Sequence, residues 1–169
     1  GIVLPFSIFR QHMDQTIPGQ KTTYWNMMYG TFKEGERMRS NGASEADIEV
    51  FLLHGLDSLR GFIKKMPLLS SFKNEMQQQF QAAFGLPLGK VPVFVRSDTN
   101  MEDLKDFTGA GLNLTVFNVV DVEKIYQGIR DVWASPYTER SFKWRQRYLN
   151  NPENEFQSIV IIPSVEVDH

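Results

Sequence analysis

No cysteine occurs anywhere in the 169 residues. That excludes a disulfide scaffold, thiolate chemistry and any cysteine-ligated metal site. No apolar run approaches the roughly 20 residues that a membrane-spanning helix needs. Gly1–Phe9 has neither the basic start nor the cleavage site of a secretory signal. An excess of positive charge is missing too: the formal net charge is −2, so no overall basic field points to nucleic acid. Histidine is scarce, with three in all. His12 and His54 have no partner at ligand spacing, so a zinc site is not expected. No Gly-x-Ser-x-Gly elbow and no paired nucleophile and base are visible. These absences leave a water-soluble chain whose natural home is a reducing cytoplasm, with no membrane and no nucleic acid among its expected partners.

What is present is enough for one domain with a real core, since 41% of the residues are hydrophobic. The first 85 or so residues read as helices. Pro5 suits a first helical turn, and Phe6, Phe9 and Met13 share a face. Residues 20–39 predict a second helix, with Trp25, Met28 and Phe32 at helical spacing. Ser44 caps a third, with Asp47 at the third position, and Ile48, Phe51, Leu52, Leu56, Leu59 and Ile63 form its apolar stripe before Pro67. A fourth spans 71–84, with Phe72, Met76, Phe80 and Ala83 inward and Gly85 as its stop. The pattern then changes. Strands are predicted at 91–95, 112–116 and 158–162, with Pro163 marking an edge or a strand end. Asp121 caps a helix bearing Val122, Ile125, Ile129, Val132 and Trp133. Pro136 restarts another helix through Tyr148, with Arg140, Lys143, Arg145 and Arg147 on its polar side. The expected class is α+β, a single domain over 1–169: a mainly helical part, 1–85, then a small sheet with flanking helices, 91–169.

The stretch Val91–Val95 delivers Arg96 at a predicted strand end. A planar guanidinium there suits phosphate oxygens, but it equally suits a salt bridge to Glu102 or Asp103. Thr108-Gly109-Ala110-Gly111 adds a glycine loop whose backbone N–H groups could approach an anion without Cβ obstruction. No Lys-Ser/Thr follows, so this is not a Walker A loop, and it is not a dinucleotide fingerprint either. Glu102 and Asp103 read better as helix N-terminal acids than as metal ligands. The basic run 140–147 reads as a solvated helix face.

Taken together, Val95-Arg96-Ser97, Glu102-Asp103-Leu104, Phe107-Thr108-Gly109-Ala110-Gly111-Leu112 and Asn118-Val119 resemble the N-terminal nucleotide-binding domain of pyruvate phosphate dikinase and phosphoenolpyruvate synthase. Glucan water dikinases and rifampin phosphotransferase share that domain. Val132-Trp133-Ala134-Ser135 and Tyr137-Thr138-Glu139-Arg140 are similar to a second signature of these proteins. Gly1-Ile2-Val3-Leu4-Pro5-Phe6 resembles the segment after their lysine-bearing stretch. The resemblance covers roughly 1–10 and 91–169, and the helical middle, 16–85, matches no pattern.

The resemblance implies part of an ATP-grasp-like domain that positions ATP and Mg²⁺ for phosphoryl transfer to a histidine on a separate swivelling domain of the same parent chain. Arg96 would contact the nucleotide phosphates, with Ser97, Gly109, Gly111 and Thr115 along the phosphate loop. No residue is assigned a catalytic or metal-ligating role. Asp98 and Thr99 depart from the small residues usual after the Arg-Ser pair. The family's lysine would precede Gly1 and its acidic metal ligands would follow His169, so the expectation is an excerpt that binds ATP weakly and catalyses nothing alone. The competing expectation is a non-catalytic nucleotide-binding or interaction module derived from the same fold.

Overall fold

The computed structural model describes residues 1–99, 115–138 and 157–163. Four helices come early: α1 (Phe6–Met13), α2 (Tyr24–Ser40), α3 (Glu45–Lys64) and α4 (Ser70–Phe84). A fifth, α5 (Val122–Ala134), runs into one 3₁₀ turn, Ser135–Tyr137. Four strands, β1 (Ile2–Leu4), β2 (Val93–Thr99), β3 (Thr115–Val119) and β4 (Gln157–Pro163), form one antiparallel sheet in the order β1-β4-β2-β3. The class is α+β, as expected. Among the described residues no helix is long and apolar enough to cross a membrane.

Local chemistry sets the helix starts. The Thr23 and Ser44 hydroxyls accept from the N–H groups of Asn26 and Asp47, each at 3.0 Å. The Asp121 carboxylate accepts from Glu123 N–H at 2.8 Å and more weakly from Lys124 N–H. Each satisfies donors that a helix N-terminus leaves open. At the other end of α4, Gly85 takes φ 72°, the left-handed conformation that only glycine adopts without cost.

Packing follows from the stripes these starts put in register. Ile48, Leu52, Leu56, Leu59 and Ile63 of α3 are buried, as are Ile125, Ile129, Val132 and Trp133 of α5. Helix α3 packs on both α2 and α5, and α5 lies across β2, β3 and β4. One continuous core joins helices and sheet. Side chains donating to open carbonyls tie α5 and its 3₁₀ turn to the end of α3: Arg130 to Met66 O at 2.7 Å, Gln127 to Lys64 O at 3.0 Å, and Arg60 to Tyr137 O at 2.7 Å.

Several expectations need correction. The opening tripeptide Ile2-Val3-Leu4 is a strand rather than part of a helical region, paired from Ile2 to Ile161. Ala83 is exposed; it is Phe84, ring centroid 4.7 Å from that of Phe80, that packs on the core. Strand β2 begins at Val93 and runs on to Thr99, so Arg96 sits in mid-strand and no turn follows Val95. Pro163 ends its strand as expected, but β4 lies inside the sheet, not at its edge. Strand β3 starts at Thr115, while the earlier part of the predicted 112–116 strand lies outside the described residues. Only a 3₁₀ turn is seen around Pro136; the remainder of the predicted helix to Tyr148, with its basic cluster, is likewise outside them.

Candidate functional site

Strand alternation decides what faces where. Val93 and Val95 are wholly buried and Ser97 is 1% exposed, so these three point to the face covered by α5. Phe94 and Arg96 belong to the opposite face, where Phe94 is half-buried and Arg96 is exposed. The same rule applies to β4, with Ile159 and Ile161 buried and Val160 and Ile162 half-buried.

Register then assembles the second face. Arg96 stands opposite Val160 on β4 and opposite Thr115 on β3, and Val160 stands opposite Val3 on β1. Directly opposed residues in an antiparallel pair share a face. One row therefore crosses all four strands: Val3, Val160, Arg96, Thr115. Phe94 and Ile162 form the adjacent pair. Val3 is 56% exposed, unusual for a valine in a strand, which marks this side as one the described core does not cover.

The chemistry of the row is simple. Arg96 stands exposed in this row beside Val160, with Phe94 and Ile162 adjacent, and has no ion pair with another described residue. A planar cation held this way can meet oxyanions with two parallel N–H donors. Glu102 and Asp103, the acids that could have neutralised it, lie outside the described residues, as do Gly109 and Gly111. Thr115 is brought to Arg96 by register. Ser97 is not: its side chain belongs to the core face, in the register row of Ile159, so it does not share Arg96's surface. Among the described residues no group of three His, Asp or Glu gathers to hold a metal ion.

Sequence reasoning missed two members of this row, Val3 and Val160. The signal for Val3 was the apolar tripeptide Ile2-Val3-Leu4 before Pro5, which pairs with a strand almost the whole chain away. It also missed the part played by His12, which is fully buried. Its Nδ1–H donates to Ile8 O at 2.9 Å, and its Nε2 accepts from Leu69 N–H at 3.1 Å, at the start of α4. Those roles require the neutral ring. Burial holds its pKa below the usual histidine value, partly offset by the bond to Ile8, with Arg130 pushing it down further.

The fold and this face prepare for what comparison adds. Residues 41–168 match the family described as "Pyruvate phosphate dikinase, AMP/ATP-binding domain". The chain belongs to that family. The match takes in α3 and α4, which the motif resemblance had left out. Phosphoenolpyruvate synthases are among its relatives. That of Deinococcus radiodurans is 25% identical over 170 aligned positions, covering 85% of this chain and 21% of the relative. That of Pyrococcus furiosus is 25% identical over 121, covering 70% of this chain and 15% of the relative. That of Aquifex aeolicus is 40% identical over a shorter 58, covering 34% of this chain and 7% of the relative. The chain thus spans about a fifth, or less, of the length of these proteins.

Proposed function

We propose that this chain is the ATP-binding portion of a dikinase-type or phosphoenolpyruvate-synthase-type phosphotransferase, and that the nucleotide phosphates lie over the exposed sheet face at Arg96. The observation that carries this reading is the row Val3–Val160–Arg96–Thr115, which holds a cation with no ion pair to another described residue on a four-stranded sheet, within a family described as AMP/ATP-binding. Phosphoryl transfer depends chiefly on positioning and on neutralising oxygen charge, which a fixed guanidinium supplies.

In this reading Arg96 meets phosphate oxygens. Gly109, Gly111 and Thr115 run beside them, with backbone N–H groups as the donors. Ser97 contributes through its backbone alone, because its side chain is packed in the core. ATP would supply the phosphoryl group. Mg²⁺ would be held by residues beyond those described. The acceptor would be a histidine on a swivelling domain of the parent chain, within an ATP-grasp-like arrangement in a cytoplasmic protein. The stretch 1–169 acts as one domain. Kinship with glucan water dikinases belongs to the same proposal.

By itself the chain binds ATP weakly and turns none over. Calorimetry with Mg-ATP tests this. Affinity in the micromolar range, or measurable ATP hydrolysis, would contradict it. The second reading, a nucleotide-binding or interaction module without catalysis, is separated by the parent reading frame: an upstream lysine, downstream carboxylates and a phosphohistidine domain favour the enzyme.

A further inference from the structure

Strand alternation in β4 carries one more polar side chain to the Arg96 side of the sheet. Ile159 and Ile161 are wholly buried, so Ser158, Val160 and Ile162 belong to the opposite face, where all three are half-buried. Register fixes where Ser158 stands on it. Val160 is directly opposite Arg96, and Ser158 is two residues before Val160 on the same strand. Ser158 is therefore a diagonal cross-strand neighbour of Arg96, about 7 Å away between backbones, and both side chains can meet one extended ligand.

The hydroxyl is uncommitted. Ser158 makes no side-chain hydrogen bond to another described residue, and Arg96 makes no ion pair with one. Ser97 is the opposite case: it is adjacent to Arg96 in the chain but is buried on the core face. The resemblance set a serine against the phosphates at position 97. Cross-strand register brings one to Arg96's face at position 158.

This pair suits an oxyanion. A guanidinium only donates, a hydroxyl can donate beside it, and bonds to a charged oxygen are stronger than bonds to a neutral one. Asp98 holds the register position opposite Ser158, so an anion there needs countercharge, which Arg96 supplies from the next pair on this face. We propose that Ser158 is a second phosphate-binding residue, its hydroxyl donating to an oxygen of the same nucleotide phosphate chain that meets Arg96. This rests on the nucleotide reading above and adds β4 to it, so that two adjacent strands hold the phosphates.

Ser158→Thr and Ser158→Val make a shape-matched pair that differs by one hydroxyl, and both residues favour strands, so both variants fold. Amide NMR titrations of the full chain with Mg-ATP and with inorganic triphosphate read the affinities. Ser158→Thr should bind each within about twofold of the unaltered chain, and Ser158→Val about tenfold more weakly, the cost of one hydrogen bond to a charged group. Equal affinity of the two variants, with shifts at Arg96 and Val160 intact, would overturn this inference and leave the nucleotide reading standing. No shifts at Arg96 and Val160 in the unaltered chain would overturn both. A loss for Mg-ATP without a loss for triphosphate would move the hydroxyl to the sugar or base, and overturn its assignment to phosphate.

Discussion

Arg96 and Thr115 are direct cross-strand partners, one on β2 and the other on β3. The resemblance implied that Arg96 contacts the phosphates and that Thr115 lies along the phosphate loop. The register gives a different geometry: they are fixed to each other by sheet hydrogen bonding rather than by a turn. A cation placed in mid-strand loses little further freedom on meeting a ligand, because its backbone is already held from both sides by β3 and β4.

Ser97 offers a sharp contrast with its neighbour. Since its side chain lies in the core, Ser97→Ala should leave ATP affinity within about twofold of the parent chain. A hydroxyl that touched phosphate would cost more, about tenfold for a lost hydrogen bond to a charged group. Parallel titrations of Ser97→Ala and the parent chain with Mg-ATP make the comparison.

His12 predicts a pH dependence with a definite sign. Its folded pKa is depressed below 6.5 by burial, so the unfolded chain binds more protons in mild acid. Its contribution is complete above about pH 6.5, where the unfolded side chain is neutral, and is lost as pH falls toward the folded value. Protonation would set an N–H against the N–H of Leu69, and would place charge against Phe72 and Trp133, whose ring centroids are each 4.9 Å away. His12→Asn should be less stable at pH 7.5 and should flatten the fall in stability below pH 6.5. Urea unfolding across that range reads both effects.

Core and cap substitutions calibrate the fold. Leu59 is fully buried on α3, so Leu59→Ala should cost about 3 kcal/mol. Ser44→Ala removes the acceptor for Asp47 N–H and should cost about 1 kcal/mol. Gly85→Ala should cost about 1 kcal/mol, because alanine resists φ 72°. Chemical denaturation measures all three. An order in which Leu59→Ala cost least would contradict the packing described.

Helix starts were legible because caps are local. Ser44 and Asp121 each satisfy donors within three residues, and the stripes of α3 and α5 repeat at one period. Strands were less so. Strand β1 is three residues long, too short to show alternation, and its assignment depends on β4 near the other end of the chain. The stretch Arg96-Ser97-Asp98-Thr99 reads as a polar turn because its residues favour turns. Pairing with β4 from Val160 to Gln157 overrides that preference. The same pairing separates Arg96 from Ser97, which no motif could do. Propensity spoke for the chain's neighbours in sequence; the site depends on neighbours across the sheet.

The most direct test of the account is an amide NMR titration of the chain with Mg-ATP, read at Arg96 and Val160 in the parent chain and in Arg96→Ala. Weak, saturable shifts along the Val3–Val160–Arg96–Thr115 row are predicted, with affinity reduced about tenfold or more in Arg96→Ala, the cost of one charge-assisted hydrogen-bonding group. Shifts confined to residues away from that row, or unchanged affinity in Arg96→Ala, would contradict the account.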